Sequence, residues 1–114
     1  MRWSILLLPL AVYGCISHDG ESKVFRGCYS YAYERSEFCP PGHSPGADCY
    51  WLSGEAEAIK EVLGEPLPGR GVRADMEVRA TLSAPGNYGH YGASSRELRV
   101  SEIIEIRPRE ADCP

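Results

Sequence analysis

The sequence predicts a small, mainly β domain that contains one helix. Apolar and polar residues alternate over 24–35, 72–83 and 98–106, and this period of two is typical of half-buried strands. One segment, 55–63, instead carries apolar residues at helical spacing. The chain has 114 residues, of which 43% are hydrophobic and 25% charged, so its size and composition suit a single globular domain.

The first fifteen residues have the composition of an export signal. A positive charge is followed by an apolar stretch at 5–12, which is too short to span a bilayer but fits the apolar region of a secretory signal. The segment Val12-Tyr13-Gly14-Cys15 resembles the lipobox of bacterial lipoproteins. The resemblance implies cleavage before Cys15 and lipidation of that cysteine. The alternative is an ordinary signal peptide with a cysteine at this place by coincidence.

The resemblance to lipoproteins implies an organisation in three parts. Residues 1–14 form the signal peptide, residues 15–23 the lipidated cysteine and a polar tether, and residues 24–114 one small domain. Several acyl chains would make the membrane a stable partner, since each buried methylene contributes about 0.8 kcal/mol. Ile16 stands where an aspartate favours inner-membrane retention in enteric bacteria. We therefore expect an exported protein, at the outer rather than the inner membrane, with its domain in the periplasm or at the cell surface.

The charge of the chain argues against nucleic acid as a partner. The formal net charge is −4, and loss of residues 1–14 would remove one arginine and leave −5. Binding to phosphates needs a basic face, which this composition does not provide. Tyr29, Tyr31 and Tyr33 could stack on bases. We interpret them instead as barrel core or as cover for an outer face.

The first half of the domain is predicted to hold three strands. The first, over 24–35, is aromatic. Residues 36–48 contain several prolines and glycines, so we expect mostly loop there, with a short second strand around Phe38. The third strand is the aromatic segment 49–52.

A helix is predicted over 55–63. Ser53 or Gly54 is expected to cap its start, and Gly64 to end it. The expected apolar stripe consists of Ile59, Val62 and Leu63.

Two long strands and a glycine-rich connection complete the domain. Residues 72–83 are expected to bury one wall and expose the other. A turn at Pro85-Gly86 leads into a glycine-rich loop over 87–95. The last strand, over 98–106, changes phase near Glu102, where we expect a β-bulge.

The order strand, strand, strand, helix, strand, strand resembles that of the OB-fold, a small five-stranded barrel. The resemblance covers residues 24–107; a β-sandwich or an α+β roll is the alternative. OB-folds bind ligands on strands 2 and 3 and on the loops that join strands 1–2 and 4–5. Those two loops carry Glu34, Arg35 and Glu37, and Asn87, Tyr88, His90, Tyr91 and Arg96. The candidate contact residues among them are Glu34, Arg35, Tyr88, His90, Tyr91 and Arg96.

Four cysteines remain when Cys15 is set aside. An even number in a small exported domain indicates two disulfides, and four cysteines allow three pairings. We favour Cys39–Cys49, which closes the proline-rich loop, and Cys28–Cys113, which ties the tail to the first strand. The alternative is a zinc site that uses Cys39, His43 and Cys49, with or without His90. No paired CxxC spacing supports it, and we expect no metal or cofactor.

The sequence favours a non-enzymatic binding or envelope-interaction module. It contains no GxSxG, HExxH, P-loop or GxGxxG motif. The loop with Tyr88, His90 and Tyr91 is the favoured contact surface for an envelope protein, a peptide or a glycan, because its aromatic rings offer stacking faces. One alternative is a metal-binding protein or hydrolase that uses His90 with Glu34 or the cysteines. Another is a purely structural envelope component.

Overall fold

The structure is a computed structural model that describes residues 20–32, 35–43, 49–66 and 70–114. The predicted signal peptide, the lipidation site at Cys15 and the candidate contact residue Glu34 lie outside the described residues.

Five strands and one helix follow one another, in the described ranges, in the predicted order. They are β1 (Lys23–Ala32), β2 (Arg35–Cys39), β3 (Tyr50–Ser53), α1 (Ala56–Leu63), β4 (Val72–Leu82) and β5 (Glu97–Arg109). Within these ranges no helix is long and apolar enough to cross a membrane.

The strands close into a barrel in the order β1-β2-β3-β5-β4. β3 and β5 run parallel, and the other neighbours run antiparallel. A helix between the third and fourth strands and a parallel β3–β5 contact give a small OB-like barrel. The predicted fold class is therefore confirmed, and neither the β-sandwich nor the α+β roll describes this chain.

The second strand is short and includes Phe38, as predicted, and the structure now gives its bounds. Arg35 begins β2 and pairs with Ala32, so the first strand ends earlier than expected. Glu37, expected in the connecting loop, is half-buried in β2 and pairs with Trp51. Five residues are too few to show a clear alternation of apolar and polar side chains, and the prolines that follow favour a loop prediction. Pairing with β1 and β3 decides the structure here.

The start of α1 differs from the prediction. Glu55 is the N-cap, with a left-handed φ of 54° and no side-chain cap hydrogen bond, while Ser53 belongs to β3. The chain passes from β3 to α1 through two residues of positive φ, and a Cβ atom at Gly54 would lie 2.4 Å from the Val100 carbonyl oxygen. Gly64 ends the helix as predicted, and its N–H donates to the Lys60 carbonyl.

The core lies inside the barrel and takes residues from every strand and from α1. Its members are Tyr29, Phe38, Leu52, Ile59, Ala74, Met76, Val78, Ala80, Leu98 and Val100. Only Ile59 of the predicted helical stripe is buried. Leu63 packs at the edge of the core, and Val62 is 47% exposed, contrary to the prediction.

Two bulges account for the change of phase in β5. Glu77 and Val78 of β4 pair with Glu105 and Ile103, which leaves Ile104 as an extra residue in the ladder. At the second register shift, Arg79 and Ala80 pair with Glu102 and Val100, which leaves Ser101 as an extra residue. The predicted bulge near Glu102 is therefore confirmed, with one irregularity on each side of it.

Both favoured disulfides are present. Cys28 is bonded to Cys113 and Cys39 to Cys49, across sequence separations of 85 and 10 residues. The second bond takes up both thiols that the zinc alternative requires. Among the described residues there is no group of three or more His, Cys, Asp or Glu side chains arranged to hold a metal ion.

Candidate binding surface

The connection between β4 and β5, residues 83–96, is held together by its own main chain. The N–H of Gly86 donates to the Ser95 carbonyl at 2.9 Å. Tyr88 and Ser94 exchange hydrogen bonds in both directions, at 2.8 and 3.0 Å. The glycine-rich sequence therefore forms a short extension of the β4–β5 pairing, which we call the β4–β5 loop.

Ser83 fixes the foot of the β4–β5 loop. Its main-chain N–H donates to the Glu97 carbonyl, and its hydroxyl accepts from the Glu97 N–H, both at 2.8 Å. The same hydroxyl donates to the Ala84 carbonyl at 2.9 Å. The Tyr88 hydroxyl also donates to Ala84, at 2.8 Å. Ser83 itself is buried, and its bonds to Glu97 join the end of β4 to the start of β5.

Trp51 of β3 supports the β4–β5 loop from below. A Cβ atom at Gly89 would lie 2.3 Å from a carbon of the Trp51 ring, and Gly89 has a φ of 77°. Only glycine allows so close an approach in that conformation. The main-chain N–H of Trp51 donates to the Arg96 carbonyl at 3.0 Å, so the same residue also holds the end of the loop. The loop is thereby packed on β3, in the region where OB-folds bind ligands.

Tyr91 forms the tip of the β4–β5 loop. It lies in a single 3-10 turn, His90–Gly92, closed by hydrogen bonds from Gly92 to Gly89 and from Ala93 to His90. Tyr91 itself has a φ of 59° and is 92% exposed. The His90 ring meets the Tyr91 ring edge-on, with centroids 4.0 Å apart.

The backbone of Tyr91 is strained. A residue with a Cβ atom pays about 1–2 kcal/mol in the left-handed conformation. Such residues persist where the surroundings impose them, and they cluster at functional sites. Here the hydrogen bonds of the turn and the fixed foot of the loop impose the conformation, and the result is an aromatic side chain that points away from the barrel.

The predicted contact residues have different roles in the structure. Tyr91 and His90 are exposed at the tip, whereas Tyr88 is half-buried and uses its hydroxyl to brace the loop. Arg96 is half-buried at the foot. Arg35 is exposed at the first position of β2, rather than in a loop. The structure therefore exposes the two tip residues, whereas Tyr88 and Arg96 lie closer to the barrel.

Sequence reasoning missed the supporting role of Trp51. It placed this residue correctly on the third strand but had no reason to connect it with Gly89, 38 positions later. The contact arises from the parallel β3–β5 pairing, which brings Trp51 beside Glu97 at the end of the loop. The sequence showed only a tryptophan on a short strand and, separately, a glycine-rich loop, and neither pattern indicates which residues are in contact.

An outer groove of about 630 Å³ crosses β1, β4 and β5 beside the disulfides. Its charges neutralise one another: Arg26 lies 3.2 Å from Glu77, and Arg109 lies 2.8 Å from Asp75. Arg107 and Glu105 of β5 form a looser pair at 3.8 Å. Because its cations and carboxylates are matched, the groove does not favour a ligand of either charge.

Tyr29 is buried, and its hydroxyl group has a structural role. Ser36 donates its one hydroxyl proton to the Leu52 carbonyl at 2.9 Å, so the Tyr29 hydroxyl donates to the Ser36 oxygen at 3.4 Å. Burial raises the pKa of Tyr29 above its ordinary value of 10.0. The phenol therefore stays protonated, and it serves the interior of the barrel rather than proton transfer near neutral pH.

Comparisons of the chain with protein-family models, with curated proteins and with solved structures find no match. The candidate surface therefore depends on the geometry of this chain alone.

Proposed function

We propose that this chain is a membrane-anchored bacterial lipoprotein whose barrel is a non-enzymatic binding module. The β4–β5 loop contacts the partner, and Tyr91 is the central contact residue. One observation carries the proposal: a strained, 92% exposed tyrosine stands at the tip of a loop that is otherwise fastened to the barrel. Exposed aromatic side chains on rigid supports are a common form of recognition surface.

The rigidity of the β4–β5 loop favours binding. Ordering a flexible loop or side chain on association costs about 0.5–1.5 kcal/mol for each immobilised side chain. The main-chain bonds at Tyr88 and the contact between Gly89 and Trp51 hold the loop in place before any partner arrives. Tyrosine adds a large contact area with only two side-chain torsions to fix. A flat apolar face, such as a sugar ring or a peptide side chain, suits the exposed ring of Tyr91.

Export and anchoring belong to the same proposal. They are supported by the resemblance of Val12-Tyr13-Gly14-Cys15 to a lipobox and by the two disulfides, which suit an oxidising compartment. An outer-membrane anchor and a short tether would place the β4–β5 loop near other envelope proteins, peptides and glycans.

Site-specific photocrosslinking tests the contact surface. The photoreactive residue benzoylphenylalanine is introduced at position 91 of the full chain. The chain is expressed in bacteria and irradiated, and its crosslinked adducts are identified by mass spectrometry. Matched controls carry the probe at Val24 or Ile104, which are 46% and 42% exposed on β1 and β5. We expect discrete adducts at position 91 that the controls lack. Absence of an adduct at 91, or the same adducts at all three positions, would overturn the proposed surface.

Metabolic labelling tests the anchor separately. The full chain is expressed with an alkyne-tagged fatty acid, and label is measured on the wild type and on Cys15→Ser. We expect label and membrane association for the wild type, and loss of both in the variant. Equal labelling of the two chains would contradict lipidation at Cys15 while leaving the binding surface open to its own test.

A further inference from the structure

Cys28 and Cys39 are direct partners across β1 and β2, although each is bonded to a different cysteine. Directly opposed residues of antiparallel strands have Cα atoms about 4.5–5.5 Å apart. Disulfides need a Cα separation of about 4.4–6.8 Å. The strand register therefore places these two cysteines within the range of Cα separations that a disulfide needs.

Both cysteines also project from the same side of the sheet. Their neighbours Tyr29 and Phe38 are opposed in the register and buried in the core. Because side chains alternate along a strand, Cys28 and Cys39 point outward together. They share one end of the outer groove, with Pro114 beside them. The two disulfides are thus neighbours, because each contains one of the two directly opposed cysteines, Cys28 and Cys39.

The other two cysteines lie outside the strands. Cys49 precedes β3, and Cys113 belongs to the tail that follows β5. Arg73 and Arg109 hold this tail by donating to the main-chain carbonyl oxygens of residues 110–112, at 2.6–3.3 Å. Cys113 is half-buried, whereas the remaining three disulfide cysteines are buried. An attacking thiol therefore reaches the bond between Cys28 and Cys113 first.

We propose that the two disulfides form one thiol-exchange unit, in which reduction of Cys28–Cys113 moves the second bond to Cys28–Cys39. A thiol reductant, either a dithiol or two monothiols, supplies two electrons and becomes a disulfide. Cys113 leaves with a proton, and Cys28 is released as a thiolate. The Cys28 thiolate then attacks the sulfur of Cys39. The Cys28–Cys39 bond forms as the Cys39–Cys49 bond breaks, and Cys49 takes the electron pair and a proton.

This exchange would change the surface while the barrel keeps a covalent staple. The tail of residues 110–114 loses its bond to β1, and the segment from Cys39 to Cys49 is no longer closed. The new bond joins β1 directly to β2, so the strands stay in register. The device is independent of the proposed function, since neither disulfide includes a residue of the β4–β5 loop.

Tryptic digestion distinguishes the native disulfide pairing from the exchanged pairing. Trypsin cuts after Arg26, Arg35, Lys60 and Arg109. Cys28 then lies in peptide 27–35, Cys39 and Cys49 share peptide 36–60, and Cys113 lies in peptide 110–114. The native pairing links 27–35 to 110–114, whereas the exchanged pairing links 27–35 to 36–60. Acid quenching and alkylation before digestion preserve the distribution.

The first test is stepwise reduction of the full wild-type chain with dithiothreitol. We expect an intermediate that contains the 27–35/36–60 link, with Cys49 and Cys113 alkylated. Below the thiol pKa of about 8.5, its rate of appearance should rise about tenfold per pH unit, because the thiolate is the attacking species. An intermediate that retains the Cys39–Cys49 bond, with Cys28 and Cys113 alkylated throughout, would overturn the proposal.

The second test uses two matched variants of the full chain. Cys113→Ser leaves a Cys28 thiol beside Cys39, so we expect the 27–35/36–60 link and alkylated Cys49. Cys28→Ser removes the attacking group, so the Cys39–Cys49 bond should persist. Alkylation of Cys28 alone in the first variant would contradict the mechanism. If Cys113→Ser does not fold, stepwise reduction of the wild type still decides the question.

Discussion

Tyr91 combines a left-handed backbone with the greatest exposure of any large hydrophobic side chain in the described residues. We therefore expect little change in stability when its ring is removed, and a gain when its backbone strain is relieved. Tyr91→Ala should change the free energy of unfolding by less than about 0.5 kcal/mol, because few contacts are lost. Tyr91→Gly should raise it by about 0.5–1 kcal/mol, because glycine adopts a φ of 59° without steric cost. Denaturant unfolding measures both. A loss of more than 1 kcal/mol in either variant would show that Tyr91 supports the fold.

Tyr29 makes the barrel sensitive to alkaline pH. Its pKa is raised in the folded state by burial, so it stays protonated at a pH where the unfolded chain ionises. Its contribution is therefore fully present below pH 10 and is lost as the pH rises through the higher folded pKa. We expect the free energy of unfolding to fall above pH 10, and to fall less steeply in Tyr29→Phe. The exposed Tyr91→Phe is the control and should keep the wild-type slope; equal slopes in all three chains would contradict the argument.

Ser36 links Tyr29 to β3. Removal of its hydroxyl would leave the Tyr29 proton and the Leu52 carbonyl without their present partner. Burial makes such losses expensive, so this small polar contact helps to fix the position of β2 inside the barrel.

At the scale of elements, the length of a periodic pattern decided what could be predicted. β4 spans eleven residues and alternates throughout, and the sequence placed it correctly. β2 spans five residues beside prolines, and the sequence predicted a short strand around Phe38 without its bounds. The predicted N-cap of α1, Ser53 or Gly54, was wrong. The turn at Gly54 and Glu55 depends on close packing against Val100, which is distant in sequence.

The β4–β5 loop gives a prediction with a matched control. Gly89→Ala places a methyl group against the Trp51 ring at a positive φ, whereas Gly42→Ala adds one at a similar φ of 86° with nothing within 4 Å. Gly89→Ala should therefore lose about 1–3 kcal/mol more stability than Gly42→Ala, because overpacking adds to the backbone strain. Chemical denaturation compares them. Equal losses would mean that Trp51 does not hold the loop.

The candidate surface was predictable only in part. Composition pointed to the tip residues His90 and Tyr91, because glycines, a histidine and tyrosines are concentrated there. The supports at Ser83 and Trp51 could not be found this way, since their hydrogen bonds and packing depend on strand register. Arg35 was assigned to a loop for the same reason: the register of β1 and β2 set the boundary.

For the whole molecule, the disulfides should differ in their effect on stability. The Cys28–Cys113 bond spans 85 residues and the Cys39–Cys49 bond spans 10. Loop-closure entropy grows with the logarithm of that span, so the longer bond should contribute about 2 kcal/mol more. The paired serine variants Cys28→Ser/Cys113→Ser and Cys39→Ser/Cys49→Ser test this by denaturant unfolding. A larger loss in the second pair would show that local packing outweighs loop length.

For the molecule as a whole, we propose that the barrel, which two disulfides close, is exported and anchored to a membrane by lipid. Intact mass analysis of the chain, isolated from membranes of a bacterium that expresses it in full, tests this most directly. The predicted mass is that of residues 15–114 with acyl groups on Cys15, and reduction should add four hydrogens for the two disulfides. The mass of residues 1–114 without lipid, or a mass that reduction leaves unchanged, would contradict the proposal of a lipid-anchored, disulfide-bonded barrel.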